Sequence, residues 1–375
     1  MNPNLIFVAA ALSLWGIGEG MFFNFAPIYL KNQFLLNEQT IGFILGVFGL
    51  FMAVTHIPAG YLADRIGRRP MMIAAWLIGL VTTLIMGASA NLTFYLIGFF
   101  SYGLTAFVSS SLSSYVTAAR GKWPVSTALS WTTATFNMGA VLGPVTGGWL
   151  GERYGMRAAY WAAAGIFVIS NIFIVLTKKQ PIDHHDPEAP PPDLLANRRF
   201  IGFLFVAAFA TFAMYIAQPL TPNFLSSERR LSLSQAGLIF TVGALGNSLI
   251  ALMFSRVRPR RGFLFTQGLV ALFALFIWHG HTLPVFMLGY FLLGGFRAAR
   301  PMALAQAREL VHASQMGLMY GTMETVSAGI FILTPILAGF LYERGPALVY
   351  PLAICLITAS IIVSYYFSPQ KERHA

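Results

Sequence analysis

The sequence predicts an all-α integral membrane protein with twelve transmembrane helices in two six-helix, pseudo-symmetric halves. Three observations carry this. Of 375 residues, 57% are hydrophobic and only 10% charged, against about 25% charged in an ordinary soluble domain. Apolar runs long enough to cross a bilayer recur along the whole chain. Residues in the first half return in the second at a fixed offset. A water-soluble enzyme is excluded, because a soluble fold of this size cannot keep so much apolar surface from water.

The first run, 5–30, follows four residues without a basic side chain and is too long for a secretory core. It is read as a retained span, not a cleaved signal. Span two (40–63) ends at a basic loop, and span three (71–88) begins after Pro70. Span four (91–117) is rich in hydroxyls, with Ser109, Ser110, Ser111, Ser113 and Ser114. Span five (125–150) carries glycine every four residues, and span six (157–177) stops at Lys178-Lys179. Spans seven (200–225), eight (234–255) and nine (262–279) lie between arginine clusters. Span ten (283–307) holds two arginines, span eleven (314–341) a glutamate, and span twelve (346–367) precedes a basic tail. Helices are expected because only helices and closed barrels satisfy their backbone in lipid. Barrel strands would be about ten residues long and strictly alternating.

The halves are therefore 1–177 and 200–375, joined by a linker over 178–199 containing Ala189-Pro190-Pro191-Pro192. Its composition is that of a solvated segment, and His184-His185 within it read as polar loop rather than as metal ligands. With the N-terminus inside, the inside loops hold sixteen Lys and Arg and the outside loops six. That bias places both termini in the cytoplasm. It also accounts for the net charge of +11 without nucleic acid as a partner. The single cysteine, Cys355, excludes a disulfide framework, and no metal or cofactor is expected.

Pro144, Gly148, Leu150, Glu152 and Arg153 recur 191 residues later as Pro335, Gly339, Leu341, Glu343 and Arg344. Pro27, Leu30 and Gly42 recur 195 later as Pro222, Leu225 and Gly237. Two such repeats related by an axis along the membrane normal place a site at mid-membrane between them.

The segment Gly60-Tyr61-Leu62-Ala63-Asp64-Arg65-Ile66-Gly67-Arg68-Arg69-Pro70 resembles the signature loop between helices two and three of the major facilitator superfamily. Gly60 allows close helix approach, Gly67 a tight turn, and Arg65, Arg68 and Arg69 suit anionic headgroups. The resemblance implies a gating loop that holds the outward-facing state and releases on switching. Gly139, Gly143, Pro144, Gly147 and Gly148 resemble the helix-five motif of the superfamily's proton-driven exporters. Physically, Gly139, Gly143 and Gly147 form one smooth face suited to a tight interhelical seam. The arginine of the exporter signature in helix four is absent, since Gly98–Gly103 contains none.

Ionisable groups inside a span are costly, roughly 2.5–3.5 kcal/mol each at the centre, and tend to face a cavity. Glu19, Arg297, Arg300 and Glu324 are such groups. Glu19, with Asn24 further along span one, can carry a coupling proton or attract a cation. Arg297 and Arg300, three apart and so on one face, can grip an anion or neutralise Glu324. A bridge from Glu324 to one of them is expected. Gln218, Asn223, Asn137, Trp131 and Trp15 are weaker cavity candidates, and His56, His279 and His281 read as interfacial.

No H-E-x-x-H, serine elbow or P-loop is present, so neither an enzyme nor an ATP-driven pump is expected. The resemblance implies secondary active transport by alternating access. The leading expectation is proton-coupled export, an antiport, of a small amphipathic compound by a monomer in the inner membrane of a bacterium. The alternative is an anionic metabolite, sugar or lipid headgroup held by Arg297 and Arg300. A non-transporting membrane sensor is the remaining class.

Overall fold

A computed structural model describes residues 2–180, 194, 197–254, 257–312 and 316–369; inside its helices the side chains of 56–65, 110, 126, 316 and 317 are also left undescribed. The chain is helical throughout these residues. In order, the helices are α1 (Pro3–Phe22), α2 (Ala26–Phe34), α3 (Glu38–Ile66), α4 (Arg68–Ala88), α5 (Leu92–Gly103), α6 (Val108–Ala119), α7 (Val125–Tyr154) and α8 (Met156–Val175). After the linker come α9 (Arg198–Tyr215), α10 (Thr221–Ser227), α11 (Leu233–Phe254), α12 (Pro259–His279), α13 (Leu283–Arg308), α14 (Met316–Arg344) and α15 (Val349–Phe367).

Among the described residues nine helices are long and apolar enough to cross a membrane, ten when the bent pair α5–α6 counts as one span. Helices α7 and α13 are 30 and 26 residues long, enough at about 1.5 Å per residue to cross a core of about 30 Å. With these two, all twelve expected spans have a helical counterpart.

Three expected spans are not continuous. Span one passes through a 3-10 turn at Phe23–Phe25, just before Pro27. Span four holds a 3-10 turn at Leu104–Phe107, after which its segments Leu92–Phe107 and Ser111–Ala119 meet at 40°. Its hydroxyls turn back on the helix, with Thr105 donating to the Tyr102 carbonyl at 2.7 Å and Ser113 to Ser109 at 2.8 Å. Such back-bonding competes with the regular ladder and bends helices. Span seven stops at Tyr215 and restarts at Thr221, with Pro219 in the gap and Pro222 in the first turn of α10. Proline lacks the N–H that would continue the ladder.

The contacts group the chain into two compact units. The first is Met1–Leu36, Val47–His184 and Leu225–Thr241; the second is Asn37–Gly46, His185–Phe224 and Val242–Ala375. Within the first, a Cβ on Gly237 would lie 2.5 Å from the Pro144 carbonyl oxygen and 3.3 Å from Gly148 Cα. Within the second, a Cβ on Gly42 would overlap the Pro335 carbonyl and lie 3.0 Å from Gly339 Cα. The residues that repeat in the sequence are thus the residues that touch. The repeat also extends to positions its apolar background hid. Arg153 lies 5.8 Å from the Trp149 ring and Arg344 3.7 Å from the Phe340 ring, again 191 apart.

Each unit also ties its helix ends in the same way. Asn2 caps α1 and donates to the Ala119 carbonyl at the end of α6, at 2.9 Å. Asn197, 195 residues on, caps α9 and donates to Leu310 at the end of α13, at 2.8 Å. Arg69 donates to the Thr177 and Val175 carbonyls at 2.6 and 2.9 Å, and Arg260 to the Tyr365 carbonyl. These are the orphan carbonyls that every helix C-terminus leaves. Asn197→Ala removes both a cap and an interhelix bond, so we expect a loss of about 1–2 kcal/mol. It should appear as a thermal midpoint a few degrees lower in detergent. An unchanged midpoint would show that the tie contributes nothing.

Candidate functional site

Glu19 sits half-buried on α1, one turn before the break in span one. Trp15 Nε1 donates to its Oε2 at 2.8 Å, and the Tyr102 hydroxyl donates to the same oxygen at 2.9 Å. Trp15 is one helical turn back on the same face of α1; Tyr102 comes from the end of α5. An ionised carboxylate accepts only, and bonds to it are roughly twice as strong as neutral ones. Around this oxygen the first unit supplies an aromatic wall. Trp15 stacks on Phe167 with ring centroids 4.6 Å apart and tilts against Trp76 at 5.0 Å, while Tyr102 meets Phe22 edge-on at 5.3 Å. Asn24, in the 3-10 turn, is exposed.

The backbone of α1 is held at close range by α7. A Cβ on Gly139, Gly143 or Gly147 would overlap the carbonyls of Ser13, Ile17 and Met21 in turn. In the reverse direction, a Cβ on Gly20 would lie 2.8 Å from Pro144 Cδ and 3.0 Å from Gly143 Cα. The glycine face therefore presses backbone on backbone along two turns of α1, and Glu19 is carried on that stretch. Gly148 faces elsewhere, toward Leu233 and Gly237 of α11. At the end of α7, Glu152 accepts from the Ser234 N–H at 2.8 Å, a carboxylate at a helix N-terminus.

In the second unit, Arg300 of α13 and Glu324 of α14 form the expected ion pair. Their side chains are 63% and 47% exposed, so the pair faces open space, where an ion pair opens and closes at little cost. Arg297 lies one turn earlier on the same face and is also exposed. The next turns of α13 and α14 bound an open recess of about 600 Å³, lined by Pro301, Leu304, Ala305, Arg308, Glu309 and Tyr320.

The signature loop is described in part. Its residues Gly60–Ile66 form the last turns of α3, and Gly67, at φ 92°, makes the turn into α4. The side chains of His56, Gly60, Asp64 and Arg65 lie outside the described residues, as do His184, His185 and residues 255–256. Arg68 donates to the Ser114 carbonyl at 3.3 Å and Arg69 to the end of α8. Arg69 thus caps the C-terminal end of α8.

Of the weaker candidates, Gln218, in the gap between α9 and α10, donates to the Met214 carbonyl of α9, and Asn223 is fully buried on α10. Trp131 meets Trp123 edge-on at 5.9 Å. Tyr102 is the site residue that sequence reasoning misses. The stretch Gly98–Gly103 lacks the arginine of the exporter signature, and it supplies a phenol instead. Among the described residues no group of three or more His, Cys, Asp or Glu could hold a metal ion.

A family model described as Major Facilitator Superfamily matches residues 8–207 and 203–375. Multidrug resistance protein MdtG of Proteus mirabilis is 24% identical over 292 residues, 72% of this chain and 71% of that protein. Multidrug resistance protein 2 of Bacillus subtilis is 22% identical over 347 residues, 87% and 86% of the two chains. Among solved structures, the nucleoside transporter NupG superposes with a TM-score of 0.76 at 14% identity, covering 98% of this chain and 98% of that one. The human organic anion transporter MFSD10 gives 0.69 at 17% identity, covering 96% and 99%. At these identities the solved structures speak to the fold.

Proposed function

The chain belongs to the major facilitator superfamily, and from that premise we propose that it is a proton-coupled antiporter that exports a small amphipathic compound. The family is one of secondary transporters, not enzymes. Residues 1–177 and 200–375 are the two halves that alternate around a site between them, with Glu19 as the proton carrier. The chain works as a monomer in a bacterial inner membrane, both termini in the cytoplasm. The loop Gly60–Arg69 acts as its gate. One observation carries the reading: a carboxylate sits within span one, half-buried and held by two hydrogen-bond donors. An ionisable group at membrane depth is expensive and marks an ion or proton pathway. The names of the two multidrug resistance relatives support an amphipathic substrate and the outward direction.

A second reading rests on Arg297 and Arg300, exposed on one face of α13. Two guanidiniums there suit a carboxylate or phosphate. Glu324 already compensates Arg300, which favours the first reading.

The test is purified protein in acid-loaded liposomes with a fluorescent reporter of internal pH. Adding tetraphenylphosphonium outside is expected to discharge the proton gradient through the protein. Discharge by an organic anion alone, lost in Arg297→Ala, would replace this reading with the second. No discharge by either probe would remove the support for antiport.

A further inference from the structure

We propose that Tyr102 is a positioning residue for the coupling proton, its hydroxyl on Glu19 and its backbone carbonyl together tying the charge on Glu19 to the 3-10 turns in spans one and four. The inference rests on the reading of Glu19 as the proton carrier and assigns the residue through which that proton is felt.

The geometry is specific. Glu19 lies four residues before the 3-10 turn Phe23–Phe25, and its own carbonyl accepts the N–H of Phe23. Tyr102 lies two residues before the 3-10 turn Leu104–Phe107, and its carbonyl accepts both the Leu104 N–H and the Thr105 hydroxyl. The Tyr102 ring rests on the break in span one, against Phe22 at 5.3 Å and Phe23 at 6.4 Å. The Tyr102 side chain thus touches the carboxylate and the turn after it, while its backbone carbonyl holds the start of the second turn.

The chemistry follows from what a carboxyl group can do. Ionised, Glu19 accepts from Trp15 and Tyr102 on one oxygen, and both bonds are charge-assisted. Taking up one proton removes the charge and makes the group a donor as well as an acceptor. The indole N–H and phenol O–H bonds then lose strength together, and the phenol oxygen becomes an acceptor for the new O–H. The link between α1 and α5 changes in strength and direction with each proton bound or released. On this turn α8 presents Phe167 to Gly18, and α7 presents Gly143 and Pro144 to Gly20. Two polar groups that meet the Glu19 carboxylate are the Tyr102 phenol from α5 and the Trp15 indole from α1.

The test uses the full chain in lipid nanodiscs with the proton alone as ligand. Infrared difference spectra across pH give the band of a protonated carboxyl, assigned by its loss in Glu19→Gln. Tyr102→Phe keeps the ring and removes one donor to the charged form. Proton binding should become about tenfold tighter, the size of one charge-assisted bond. Trp15→Phe should shift it the same way, which keeps the test valid if either variant is poorly folded. Hydrogen exchange of 22–25 and 104–107 should follow the same pH midpoint in the wild type, and in Tyr102→Phe the second segment should cease to follow it. An unmoved midpoint with exchange still coupled in both segments would reduce Tyr102 to packing and overturn the proposal. A shifted midpoint in a protein whose transport ignores the proton gradient would keep the link and sink the antiport reading. A wild type without the band would sink both.

Discussion

Glu19→Gln is expected to end uphill transport while leaving exchange of substrate for substrate. In proteoliposomes with an imposed proton gradient, accumulation of tetraphenylphosphonium should fall to the level of protein-free vesicles. Glutamine is nearly isosteric and its amide oxygen still accepts from Trp15 and Tyr102, which sit 2.8 and 2.9 Å from the carboxylate oxygen. The aromatic wall around it should stand, so the thermal midpoint should change by less than about 1 kcal/mol equivalent. What is lost is the group that binds and releases a proton. Counterflow of labelled against unlabelled substrate needs no net proton movement and should persist. Accumulation at the wild-type level in Glu19→Gln would show that the coupling proton rides elsewhere. A combined loss of counterflow and accumulation would make Glu19 a substrate ligand.

Much of this molecule is legible in its sequence because lipid imposes simple rules. Length, apolar composition and charge at the span ends mark the helices. The recurrence of Pro144 and Gly148 as Pro335 and Gly339 marks contacts, because close backbone approach tolerates few residue types there. The Arg300–Glu324 pair is foreseeable for the same reason, since a charge at membrane depth calls for its opposite. What escapes has physical causes as well. Tyr102 stands 83 residues from Glu19 and is one of many aromatics, so nothing local distinguishes it. The 3-10 turn in span four carries a Thr105 hydroxyl bonded back to the Tyr102 carbonyl, which a hydropathy pattern does not register. Asn2 and Asn197 are single polar residues at span ends, where a polar residue is ordinary until its carbonyl partner is seen. The bonds from Arg69 to the end of α8 escape because the carbonyls it caps lie more than 100 residues away.

Gly143→Val is expected to be the most damaging single substitution in the first unit, costing more than about 3 kcal/mol. The Cβ would overlap the Ile17 carbonyl and lie 2.7 Å from Gly20 Cα. Both obstacles are backbone, so no side chain can rotate out of the way; α1 must move off α7. Gly139 and Gly147 grip the same helix one turn either side, and that movement would loosen all three contacts together. The expected result is little monodisperse protein after extraction and no cooperative melting transition. Gly165→Ala is the matched control, because nothing lies within 4 Å of a Cβ there, and it should be neutral. Wild-type yield and melting in Gly143→Val would mean that α1 and α7 are further apart than described. The milder Gly143→Ala connects this seam to function. If it folds, α1 is displaced between Ile17 and Gly20, and Glu19 is carried with it, away from Tyr102. Its proton titration should then move as it does in Tyr102→Phe, although the substituted residue touches neither group. A seam that only packs would lower stability and leave that titration where it was.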